Sequence, residues 1–206
     1  LTGTHDILVG SPIAGRDQQE LHGLLGCFLN TIVLRTDLSG HLTGRGLLQR
    51  VRDIVLNAYE NQDVPFEKVL AEVDPARDLN RTPIFQVLLN MHSFDDQNLP
   101  LPELTVTRVL PTDINSLFDM TLYFNEHTDK VQLSLVYNAD LFTAGRMTEF
   151  MRQFQSILEQ MINDPDQCIS ALSLLTGTTR QKRLTKGNTI QPTKSFARIK
   201  ADEIDQ

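Results

Sequence analysis

A chain of 206 residues, 40% hydrophobic and 22% charged, is long enough for one domain with a sizeable core. Its formal charge of -7 excludes a broad basic field, and with it nucleic acid and anionic membrane as natural partners. Two distant cysteines, Cys27 and Cys168, exclude a disulfide framework or a CxxC metal site, and no apolar run nears the roughly 20 residues that span a bilayer.

The opening LTGTHDILVG has neither an initiator methionine nor the basic flank and apolar core of a signal peptide, so a cytoplasmic piece of something longer is expected. Ile7 to Val9 is a short apolar run closed by Gly10 and Pro12, the pattern of a buried strand leading into a turn. Leu21, Leu24 and Leu25 recur at helical spacing within Asp17 to Leu25, which predicts a helix stopped by Gly26. Phe28 to Leu34 reads as a second strand. Gly40, Gly44 and Gly46 fit no phosphate-binding pattern and mark a turn before the next helix.

That helix is predicted over Leu47 to Tyr59, with Leu47, Val51, Ile54, Val55 and Ala58 on one face and Arg50, Arg52 and Asp53 turned outward. A shorter helix should begin near Asp63, capped by that carboxylate, with Pro65 in its first turn and Phe66, Val69 and Leu70 facing the core. Ile84 to Asn90 is a near-continuous apolar strand. Pro100 and Pro102 forbid regular pairing over Asn98 to Glu103, ahead of a strand near Leu104 to Leu110.

Met120 to Asn125 and Val131 to Tyr137 form a predicted hairpin. A last helix spans Ala144 to Ile162, with Met147, Phe150, Met151, Phe154, Ile157, Leu158 and Met161 as its core stripe. The whole is an α/β (α+β two-layer) domain over residues 1–175, followed by a linker or tail over 176–206 with little fixed structure.

Five scattered histidines, His5, His22, His41, His92 and His127, give no catalytic grouping by spacing alone. His92 begins an HxxxD string but lacks a paired histidine and a following glycine, so it reads as a loop histidine; His22 reads as a surface residue. Arg16 with Asp17, and Arg77 with Asp78 and Arg81, stand beside predicted strands, where arginine forks commonly clamp loops through paired hydrogen bonds.

Several blocks belong together. Pro12, Ala14, Gly15 and Arg16 spell PxAGR, and Gly26, Phe28, Asn30, Thr31 and Arg35 spell GxFxNTxxxR. Gln62, Asp63, Pro65, Phe66 and Glu67 spell QDxPFE. Arg77, Asp78, Pro83, Phe85 and Gln86 fit RDxSxxPxFQ with Asn80 in place of Ser, and Phe118 and Asp119 fit FDLxL with Met120 in place of Leu. In order and rough spacing these blocks resemble the condensation domain of nonribosomal peptide synthetases, in its C-terminal part; the family's HHxxxDG signature is not in the sequence.

The resemblance implies part of a two-lobed, chloramphenicol-acetyltransferase-like fold. Its lobes form a V around a tunnel, with Gly10 to Arg16 as the floor loop and Leu88 to Leu110 as the latch. It implies amide bond formation between a donor acyl thioester and an acceptor aminoacyl thioester, both carried on the phosphopantetheine of carrier proteins, with no cofactor or metal bound directly. The catalytic histidine is then expected upstream of Leu1, which would leave this chain inactive alone. Arg16, Asn30, Thr31, Arg35, Asp63, Arg77, Asp78, Gln86 and Asp119 are the implied substrate-positioning or structural residues. The implied partners are upstream and downstream carrier proteins, the N-terminal lobe and a neighbouring adenylation domain. A carrier-docking module without catalysis, a cyclisation-type domain and another acyltransferase of the same superfamily are the alternatives.

Overall fold

The computed structural model describes residues 3–75, 81–92, 116–126, 130–174 and 197–200. Among them, β1 (Asp6–Ile13), β2 (Asn30–Asp37), β3 (Val87–His92), β4 (Met120–Glu126), β5 (Val131–Tyr137) and β6 (Ala197–Lys200) form one sheet in the order β2-β1-β3-β4-β5-β6. β1 and β2 pair antiparallel from Asp6 opposite Asp37 to Ile13 opposite Asn30. β3 lies parallel to β1 at Gly10 and Leu88, and parallel to β4 from Val87 opposite Met120 to His92 opposite Asn125. β4 and β5 form the expected antiparallel hairpin. With helices α1 (Gly44–Glu60), α2 (Phe66–Val73) and α3 (Ala144–Asn163), this is the mixed-sheet α/β architecture anticipated from the sequence.

Strand alternation puts Leu122, Leu135 and Tyr137 on one sheet face, where Met147 and Met151 of α3 close over them. All five are buried, and the edge of Phe124 meets Phe154 at 6.3 Å. Each such side chain removed from water is worth about 1.5–3 kcal/mol, so this cluster anchors the domain. Burial also pushes the Tyr137 phenol above its ordinary range.

α1 begins where Thr43 Oγ1 accepts from Gly46 N at 3.1 Å, satisfying an amide that the helix start leaves open. Gly44 N donates to Gln167 O and Arg45 N to Pro165 O, and a Cβ on Gly44 would come within 3.1 Å of that proline carbonyl. The Arg45 guanidinium meets Asp166 at 2.8 Å, holding that carboxyl below its usual range. The first turn of α1 is thereby sewn to the segment after α3.

Several sequence expectations change. Asp17 to Leu25 forms only a 3-10 turn at Gln19–Leu21; Leu24 and Leu25 are exposed, so the helix would have had nothing to cover. β1 runs through Gly10 and Pro12 instead of stopping there, and β2 starts at Asn30. Asp63 caps nothing: α2 starts after Pro65 without a local side-chain cap. His92 closes β3 and is not in a loop, while Leu158 lies on the open side of α3. Within the expected tail, residues 197–200 add an edge strand to β5. Arg77, Asp78, the strand near Leu104 to Leu110 and most of the Leu88 to Leu110 crossing lie outside the described residues.

Candidate functional site

After β1 the backbone reverses at Gly15, whose φ is +60° and where a Cβ would sit 2.1 Å from Phe28 O; only glycine fits both demands. Arg16 follows and organises the loop that returns to β2. Its Nη1 donates to Leu21 O and, at 2.8 Å, to Leu24 O, while Nη2 donates to Gly26 O at 3.1 Å. The guanidinium lies 4.4 Å from the centre of the Phe28 ring, a favourable cation–π geometry. The His22 ring nitrogen Nε2 meets Arg16 O at 2.9 Å, so the loop grips both ends of the arginine. Arg16 thus clamps its own loop through backbone carbonyls, and Asp17 takes no part in that clamp.

Asn30, the first residue of β2, is the hub that joins the blocks. Nδ2 donates to Gln62 O at 2.8 Å and to Val64 O at 2.9 Å. Oδ1 accepts from Thr31 N at 2.8 Å and from Phe66 N at 3.1 Å. The two amide hydrogens and two carbonyl lone pairs are thereby all used. Asn30 supplies the cap that α2 lacks locally. Gln62, held by its backbone, sends Nε2 to Asp17 Oδ2 at 2.7 Å and so reaches back to the Arg16 loop.

Phe66, fixed through its amide, puts its ring 5.7 Å from Phe85, and Phe85 stacks on Phe118 at 5.2 Å. Phe85 is only 2% exposed and lies against Gly10, where a Cβ would come within 2.2 Å of its ring. Ile84 holds φ +71° while Phe85 N donates to Pro83 O at 2.9 Å, the rare positive-φ γ-turn that a β-branched residue adopts only under constraint. The constraint is visible: Thr82 Oγ1 donates to Phe85 O at 2.6 Å and Gln86 Nε2 to Thr82 O at 3.0 Å.

The structure therefore gathers Arg16, Asn30 and Thr31 around one loop system and puts Gln86 on the neighbouring turn. Arg35 stands apart, at the far end of β2, paired with Asp6 at 2.9 Å with both partners exposed; that hydrogen bond holds the Asp6 carboxyl below its ordinary range. Asp63 is exposed. Asp119 is half-buried and its carbonyl accepts from Asn138 N at 2.9 Å. Asp17, Gln62, Gly10 and Phe85 join the site; in the sequence Asp17 stood out beside Arg16, Gln62 and Phe85 as motif residues and Gly10 as the start of the expected floor loop, but none of them as a site residue. Among the described residues no three His, Cys, Asp or Glu side chains gather as a metal set. What this arrangement offers chemically is a shaped, cross-braced wall whose polar groups hold one another.

The model of the condensation domain matches residues 1–184. The chain belongs to the condensation domain family. This condensation chain is 40% identical over 189 residues to one of the linear gramicidin synthase proteins of Brevibacillus parabrevis, covering 91% of itself and 4% of that protein. It is 32% identical over 192 residues to gramicidin S synthase 2 of Brevibacillus brevis, covering 93% of itself and 4% of that protein. It thus spans a small part of the curated relatives it matches. Among solved structures it resembles the X-domain from teicoplanin biosynthesis in complex with OxyB, with a TM-score of 0.72 and 30% identity over 84% of this chain and 38% of that one. A four-domain nonribosomal peptide synthetase bound to AMP and glycine shares the fold, with a TM-score of 0.73 and 24% identity over 86% of this chain and 15% of that one. The chloramphenicol-acetyltransferase-like class expected from the motif blocks is the fold of these condensation neighbours.

Proposed function

We propose that this chain is the C-terminal-lobe portion of an amide-forming condensation domain, supplying a tunnel wall and floor for two carrier-bound substrates. The observation that carries the reading is the joining of three blocks: Asn30 of GxFxNT bonds to Gln62, Val64 and Phe66 of QDxPFE, while Arg16 of PxAGR holds Gly26 O and the Phe28 ring of GxFxNT. A wall braced in this way suits a reaction whose main requirement is alignment. Holding an amine and a thioester carbonyl in line can supply several kcal/mol of barrier reduction. The acceptor nitrogen bonds to the donor carbonyl carbon, the carbon–sulfur bond breaks, and the proton lost by the amine ends on the released thiol.

Proton handling and oxyanion stabilisation are assigned to the HHxxxDG segment of the family, which this sequence does not contain, so the chain alone should not turn over. Phosphopantetheine arms of upstream and downstream carrier proteins bring the substrates, with an adenylation domain as a neighbour. Gly10 to Arg16 is the proposed floor. Arg16, Asn30, Thr31 and Gln86 shape it from inside the wall, while Arg35, locked to Asp6, serves the sheet edge. The cytoplasm is the proposed compartment, in keeping with two free thiols, Cys27 and Cys168.

The test uses the full-length protein that contains this chain, one acylated donor carrier and one aminoacylated acceptor carrier. Intact mass of the acceptor carrier should rise by the donor acyl group. The likeness to an X-domain solved with a protein partner supports a second reading, a docking platform. In that case carrier binding would be measurable while the acceptor mass stayed unchanged.

A further inference from the structure

We propose that Gln62 and Asp17 are positioning residues of the condensation site, linking the Arg16 loop to α2 through Asn30 without touching substrate. The inference rests on the proposed condensation activity. Asn30 has no hydrogen-bonding capacity left for a ligand, because its four positions are filled by Thr31, Gln62, Val64 and Phe66. Its influence must pass through what it holds, and Gln62 is the held residue whose side chain crosses to the loop. The bond from Gln62 Nε2 to Asp17 Oδ2 is short, at 2.7 Å, and charge-assisted. Asp17 is joined covalently to Arg16, whose guanidinium collects the carbonyls of residues 21, 24 and 26. One side-chain contact therefore sets where the whole 17–28 loop stands relative to α2 and to the Phe66–Phe85–Phe118 row.

The decisive series is Gln62→Glu, Asp17→Asn and the two combined, all in the full-length protein. Gln62→Glu places two carboxylates at contact distance and should speed hydrogen–deuterium exchange across residues 17–28 roughly tenfold, the factor carried by a charge-assisted bond. Asp17→Asn keeps an acceptor for Gln62 and should leave exchange near the parent's. The combined variant restores donor and acceptor with their roles reversed and should return exchange to the parent value. Amide formation should follow the same order, with turnover falling roughly tenfold in Gln62→Glu and recovering in the pair, while apparent KM for the carriers stays constant. Unchanged loop exchange in Gln62→Glu overturns the link. A loosened loop that the combined variant does not restore also overturns it, since the disruption is then general. A loop that responds and recovers while turnover stays flat overturns the positioning role. If the parent protein itself forms no amide, the activity reading fails, and the exchange series still decides whether the link exists.

Discussion

Replacing Gly10 with alanine tests the packing beneath the aromatic row. The added methyl would stand 2.2 Å from Phe85 Cε2, 2.3 Å from Cζ and 2.8 Å from Cδ2, whereas carbon contacts settle at about 3.5–4.0 Å. The ring must retreat by more than about 1 Å, yet Phe85 is 2% exposed and flanked by Phe66 and Phe118. Overpacking of this kind costs about 1–3 kcal/mol, and complete loss of the Phe85 packing would cost about 3–5. The ring is blocked on both sides, so Gly10→Ala should cost about 2–3 kcal/mol, read as a lowered urea midpoint at unchanged slope. Phe85→Leu should recover at least about 1 kcal/mol in that background, although it destabilises the parent by about 1–2. A loss below about 0.5 kcal/mol, or additive losses in the double variant, would refute the contact.

Arg16→Lys replaces a planar fork serving three carbonyls with a single ammonium, so limited proteolysis within 17–28 should accelerate about tenfold while the melting of the α3 core stays unchanged. Gly15→Ala, strained at φ +60° and blocked by Phe28 O, should lower the thermal midpoint by several degrees and expose Phe28 to quenching. Arg35 depresses the Asp6 carboxyl in the folded chain. Its contribution is therefore present above the ordinary carboxylate pKa and is lost as pH falls through the folded value. Asp6→Asn should flatten the acid arm of a melting-temperature series below about pH 4; an unaltered acid arm would contradict this. The Ser170 hydroxyl lowers the Cys168 thiol, so Ser170→Ala should slow alkylation of Cys168 at neutral pH relative to exposed Cys27.

The long helices and the β4–β5 hairpin were legible because their signals are local. Leu47, Val51, Ile54 and Ala58 keep the helical period, and Met147 and Met151 do the same under the sheet. The cap of α2 was not legible in that way. Asp63 satisfied the local rule, but Asn30 reaches Phe66 N from 36 positions away, a partnership that no window of sequence displays. The leucines of 17–25 misled for a related reason: Leu24 and Leu25 face solvent, and the segment is held instead by Arg16 through the carbonyls of Leu21 and Leu24, a partnership that leucine spacing does not display. Pro12 remained in a strand because β1 makes its last pairings with β2 alone. The motif blocks mark where the proposed site lies, while the way Gln62 meets Asp17 needed the fold.

The seam between Arg45 and Asp166 joins positions 121 residues apart. Closing so long a stretch adds little to the free-energy cost, because loop-closure entropy grows only with the logarithm of length, but it delays completion. During synthesis α1 leaves the ribosome well before Pro165, Asp166 and Gln167 exist to receive its first turn. β1 waits in the same way for the parallel partner that Leu88 provides. The body of α1 can pack on β2 as soon as it is made, whereas its first turn stays open until residues 165–167 exist, so the step that finishes α1 comes well after the one that completes β1.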